Sequence, residues 1–175
     1  MIALLLARDN REPYLDKPQY DRTLDRLVRY CREEQDFRGH TGEKGWAHAA
    51  AHAADALDEC AASRHADPAA CRMIWNGLSA LMDGARFVYQ EEEDERIATA
   101  LWSMLSLEKV SVHDLMEWDR ERISPVRDKQ LERYRAINRK QVIRSLFMRL
   151  QDGEPFGDGK NLLEWERTYN RFRRR

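Results

Sequence analysis

The sequence predicts an all-α domain, a single unit of helices in antiparallel pairs that forms a short α-solenoid (an α-α superhelix) or an irregular bundle. Three observations carry this. Apolar residues recur three and four apart in segment after segment, the period of a helix with one buried face. Caps, prolines at first helical positions and glycines punctuate those segments where helices start and stop. No run of useful length alternates apolar and polar residues as a half-buried strand would. The 175 residues suit one domain and can bury a real core. No sequence period marks a named repeat, so the superhelix is a leaning of the pattern.

The elements follow in order. "MIALLLA" is far too short to span a bilayer and has no basic stretch before it, so it is neither anchor nor signal peptide. It reads as the end of an amphipathic helix whose beginning is missing. "YDRTLDRLVRYCREEQ" puts Leu24, Leu27, Val28 and Cys31 on one stripe, with Pro18 near the start. "DFRGHTGEKG" breaks the pattern, and the alanine-rich "GWAHAAAHAADAL" begins the next helix.

Asp67 then caps a helix with Pro68 at its first position, a stripe of Cys71, Ile74, Trp75, Leu78 and Leu81, and Gly84 as its close. "DERIATALWSMLSL" follows, with acids at its start where they suit the helix dipole. Ser111 and Asp114 approach a capping box before a short helix. Pro125 interrupts, and "RDKQLERYRAINRKQVIRSLFMRL" gives the longest pattern, with Leu131, Tyr134, Ile137, Val142, Leu146 and Leu150 inside. "QDGEPFGDG" is a loop, and residues 160–175 form a terminal helix frayed at its arginines.

Charged residues make up 35% of the chain, above the ~25% of an average domain, which implies solvated helix faces. The formal net charge is −1, so no overall polyanion-binding signature exists. The distribution is uneven: Asp119 to Arg175 carries 16 Lys/Arg against 9 Asp/Glu, and the remainder 14 against 22. The two parts attract each other, within one chain or across a homodimer. Cys31, Cys60 and Cys71 lie in helical segments with no close pairing, the usage of a reducing, cytoplasmic protein. The tryptophans and Tyr30 read as core aromatics.

Wound as a helix, the alanine-rich stretch places Trp46, Ala50, Ala53, Leu57 and Cys60 in one apolar sector. His48, His52, Asp55 and Glu59 fall on the opposite side. Alanine flanks let neighbouring helices approach closely, so this helix is expected to be central. Three readings of its polar stripe stand open.

In the first, the stripe is a polar network: the histidines bond loop carbonyls, and Asp55 pairs with Arg38 or Arg96. In the second, it is a divalent-metal site of a hydrolase, with His48, His52 and Asp55 as ligands. Glu59, or a glutamate of the run from Glu91 to Glu95 that includes Glu93, is then the base. That spacing lacks the glutamate that follows the first histidine in zinc proteases, and His40, His65 and His113 are scattered. In the third, the stripe binds a small molecule or a protein. The basic helix 127–149 offers a separate route to nucleic acid or an acidic partner. Its apolar residues sit at core spacing, which makes the arginines a solvated face and argues against nucleic acid.

The run "REEQDFRGHTGEKGWAHAAAHAADALDEC", with the later "FVYQEEEDERIATALWSML" and "LMEW", resembles the bacterial domain-of-unknown-function family 2785. The residues that carry the resemblance are Asp36, Arg38, Gly39, Gly45, Trp46, His48, His52 and Asp55, then Glu93, Asp94, Glu95 and Arg96. It covers roughly Ile2 to Trp118. The resemblance implies an all-α fold and points to the His-His-Asp face, but it implies no reaction. Ala54 stands where a glycine is common in the family, and the family has more helix before "LLLARDN".

Overall fold

The computed structural model describes residues 1–122, 127–152 and 159–172. Eight helices lie among them: α1 Ile2–Arg11, α2 Lys17–Glu33, α3 Ala49–Ala62, α4 Pro68–Gly84, α5 Glu93–Ser106, α6 Val112–Arg122, α7 Lys129–Asp152 and α8 Gly159–Tyr169. No strand occurs among the described residues; an isolated bridge joins His40 and Trp46. The expected break at Pro125, most of the loop at 151–159 and the arginines at 173–175 lie outside the described residues.

The caps explain where helices begin. Asp16 accepts from the Gln19 backbone while the Gln19 side chain reaches back, a full capping box at α2. Asp67 accepts from Ala70 N at 2.8 Å and starts α4 ahead of Pro68. Ser111 and Asp114 exchange bonds at the head of α6. Between α1 and α2, buried Asp9 accepts from Tyr14 N and Leu15 N at 2.7 and 2.6 Å and pairs with Arg64 at 2.9 Å. Burial alone would raise its pKa, yet those amides and Arg64 hold it below the ordinary value of 3.8.

Packing is layered. α1, α3, α5 and α7 contact each other in sequence as one row, and α2, α4, α6 and α8 form the second. The core between them contains Tyr20, Leu24, Leu57, Ile74, Leu78 and Leu101. α3 touches α1, α2, α4 and α5, the central position its alanines suggest. Ala50, Ala51, Ala53, Ala54, Ala56 and Ala61 are all buried, so small side chains let four neighbours close in. Ala54 is fully enclosed.

Several expectations need correction. α3 begins at Ala49, so Trp46 precedes the helix and does not belong to its packing face. Trp46, Trp102 and Tyr30 are exposed, whereas Trp75 and Trp165 are core residues as expected. Gly84 closes α4 as expected, as its last residue. Its lack of a side chain serves packing: a Cβ there would stand 2.5 Å from Cζ of Phe37. The uneven charge distribution is partly answered within the chain, where Arg139 pairs with Asp83 at 2.6 Å and Arg149 with Glu95 at 3.1 Å.

Candidate functional site

The segment from Asp36 to His48 is a pinned loop. Phe37 anchors it in the core against Gly84. Its two arms are tied by Ala47 N to Gly39 O at 3.0 Å and His48 N to Arg38 O at 2.9 Å. The tip closes through Thr41 N and Oγ1, which both donate to Gly45 O, at 2.7 and 2.6 Å. Gly39 must be glycine-sized, because a Cβ would meet Cγ of Glu91 at 2.5 Å. Asp36 holds the Arg38 guanidinium with contacts of 2.8 and 2.6 Å. Those bonds bring its carboxyl down to about 2.

At the end of this loop His48 adopts a left-handed backbone, φ 47° and ψ 35°. Glu92, just ahead of α5, does the same at φ 63° and ψ 21°. Such conformations are costly for residues with a Cβ and persist only where the surroundings enforce them. The two strained turns meet: His48 Nε2 lies 2.9 Å from Glu91 O and 3.7 Å from Glu93 Oε1. Glu93 is 1% exposed and accepts from Glu91 N at 2.9 Å. Trp46 is 56% exposed. Its ring lies 4.7 Å from that of His48 and 5.0 Å from that of His40. His40 is therefore not scattered; the loop brings it into the same cluster.

The rest of the polar stripe splits from this patch. Asp55 accepts from Arg96 Nη1 at 3.0 and 3.2 Å. Arg38, the other expected partner, is instead engaged with Asp36. Glu59 accepts from Asn10 of α1 at 2.9 Å, and its backbone oxygen does so at 3.0 Å. Asp58, which the sequence reading passed over, accepts from Ser103 of α5 at 2.5 Å. Burial and the nearby Asp55 charge raise its pKa. Ser145 donates to Asp94 at 3.1 Å and extends the ladder to α7. The stripe thus ties α3 to the helices on either side. His52 stays exposed, its ring edge-on to His48 at 6.1 Å. Among the described residues no three His, Cys, Asp or Glu side chains are grouped to hold a metal ion, so His48, His52 and Asp55 do not make such a set.

The family profile described as "Protein of unknown function (DUF2785)" matches residues 1–148. The chain belongs to the DUF2785 family. The match takes in α1 to α6 and most of α7, and runs past the Trp118 limit of the motif resemblance. No curated protein and no solved structure matches the chain. The pinned loop, the Trp46 cluster and the Glu91–Arg96 turn of this DUF2785 domain all lie inside the matched region.

The DUF2785 chain also holds a buried polar junction that sequence reading missed. Asp119 of α6, 1% exposed, accepts from Arg139 Nε at 3.1 Å, from Trp165 Nε1 at 2.6 Å and from the Tyr169 hydroxyl. Arg139 also donates to Asp83 of α4 at 2.6 Å. Burial opposes the charge on Arg139, but Asp83 and Asp119 outweigh it and raise its pKa. This junction joins α4, α6, α7 and α8. Two clefts, of about 400 and 370 Å³, lie elsewhere, one beside Val110 and Leu150 and one between Phe147 and Leu163. Neither includes a stripe residue.

Proposed function

We propose that this DUF2785 domain is a binding module, with His40, Trp46, His48 and His52 as its recognition patch and the helical layers as its scaffold. The observation that carries the reading is Trp46: a large aromatic side chain held outward, 56% exposed, on a loop fixed at both arms. Strained backbone clusters at binding sites, and aromatic side chains are enriched among the residues that anchor them. Exposed aromatics on rigid supports are the anchors that dominate recognition.

The geometry supports the alternatives less well. A metal-dependent hydrolase needs free ligand atoms, but Asp55 is engaged by Arg96 and Glu59 by Asn10, and His48 Nε2 faces a carbonyl. A nucleic-acid interface on α7 needs free cations, but Arg135, Arg139, Arg144 and Arg149 are each drawn into contacts with other helices. The described helices include none long and apolar enough to cross a membrane. Free, buried Cys31, Cys60 and Cys71 support a reducing, cytoplasmic setting.

The test is photo-crosslinking in cells. A benzoylphenylalanine placed at position 46 is expected to give a discrete adduct, read by mass spectrometry. The same residue at exposed position 102 is the control. Identical adducts at both positions, or none at 46, would contradict the reading.

A further inference from the structure

We infer that the cleft between α7 and α8 is a docking surface for an acidic amphipathic helix of a partner protein, independent of the Trp46 patch. Its walls are apolar: Ile143, Phe147 and Met148 come from α7, and Leu162 and Leu163 from α8. Met148 is 60% exposed and Leu163 36%, so the cleft opens as a trough along the helix pair. Helix spacing extends it. Lys140, Arg144 and Met148 stand four apart on α7, a run of about 12 Å. On α8, Lys160 and Arg167 lie one turn either side of Leu163.

The polar groups of the trough decide the sign of its partner. Arg144 crosses to α8, where its Nε and Nη2 donate to Glu166 Oε1 at 3.0 and 2.6 Å. The carboxylate in the wall is therefore buried and neutralised. Exposed Glu164 lies 3.9 Å from Arg120 of α6. Lys160 and Arg167 are exposed and Lys140 is half-buried. Among the described residues no ion pair reaches the side chains of these three. The rim thus keeps uncompensated positive charge, in a segment, Asp119 to Arg175, with 16 Lys/Arg against 9 Asp/Glu. A partner with carboxylates beside an apolar stripe complements both features. An amphipathic helix presents them together, with apolar residues three and four apart in the trough and acids over its cationic edges. Met148 suits such a surface, since its unbranched chain adapts to what it meets. Nucleic acid would answer the charge alone and leave the apolar walls unmatched.

Fluorescence anisotropy with a labelled amphipathic peptide of leucine and glutamate tests this. Controls carry lysine for glutamate, or serine for leucine. The leucine–glutamate peptide is expected to bind, and each control to bind at least about 10-fold more weakly. Met148→Glu should weaken binding about 10-fold, because a like charge replaces an apolar wall. Reversal of the rim, Lys140→Glu with Lys160→Glu and Arg167→Glu, should pass the preference to the lysine peptide. Trp46→Ala should leave the affinity unchanged. Equal affinity for the glutamate and lysine peptides, binding of neither, or unchanged binding by Met148→Glu overturns the inference. If Met148→Glu loses helical signal, the rim reversal decides alone, and a preference that stays with the glutamate peptide overturns it. Self-association abolished by Met148→Glu, without peptide binding, gives the trough to a second copy and also overturns it. Oligo-dT bound more tightly than the peptide does the same.

Discussion

The head of α3 and the junction at Asp119 are both clusters of polar and aromatic side chains, yet they are built in opposite ways. At Asp119 a buried carboxylate receives three donors, and four helices meet around it. At the head of α3 the aromatic group points outward and the strain sits in the backbone of His48 and Glu92. One arrangement spends its polar groups on the fold. The other uses the fold to hold its polar groups out. A cluster of striking residue types in a sequence therefore says little until its exposure is known.

The sharpest way to break the comparison is Asp119→Ala. Removing it strands the buried Trp165 and Tyr169 donors and leaves Arg139 with Asp83 as its one carboxylate partner, so urea denaturation should show a loss of about 3–5 kcal/mol. Replacing the pair together, Asp119→Leu with Arg139→Met, should cost less than the single change. A second buried carboxylate extends the test. Asp9→Asn should lose about 1.5–3 kcal/mol at neutral pH, because charge-assisted bonds to two amides and Arg64 weaken.

The pKa of Asp9 is lowered in the fold, so its contribution is present above the ordinary 3.8 and is lost as pH falls through the depressed folded value. The gap between wild type and Asp9→Asn should accordingly close in acid, read from urea midpoints at pH 7 and below pH 3.8. Gly84→Ala, which forces a Cβ onto the Phe37 ring, should cost about 1–3 kcal/mol in the same assay. Asp55→Ala should cost no more than about 1 kcal/mol, because its partner Arg96 has a side chain 51% exposed. A larger loss would mean that the pair holds α3 to α5 more firmly than a half-exposed ion pair does.

Much of the scaffold was legible in the sequence, and the reasons are local. Asp67 with Pro68, and Ser111 with Asp114, announce helix starts because a cap and its partner lie within three residues. The central place of α3 follows from alanine alone. The Asp55–Arg96 pair was one of two partners the stripe allowed. The start of α3 was misread because Trp46 stands at helical spacing from Ala50 and Ala53. What excludes it from the helix are bonds back to Gly39 and Arg38 and the left-handed turn at His48. Asp119 was missed because its partners lie 20 and 46 residues away and no local pattern links them. The exposure of Trp46 was missed because an indole suits either a core or a surface, and only the loop decides.

The most direct test is the urea midpoint of Trp46→Ala beside that of wild type. The account predicts a change within about 0.5 kcal/mol, the range of a surface side chain that supports nothing. A fall approaching that of Asp119→Ala would contradict it and make Trp46 part of the scaffold.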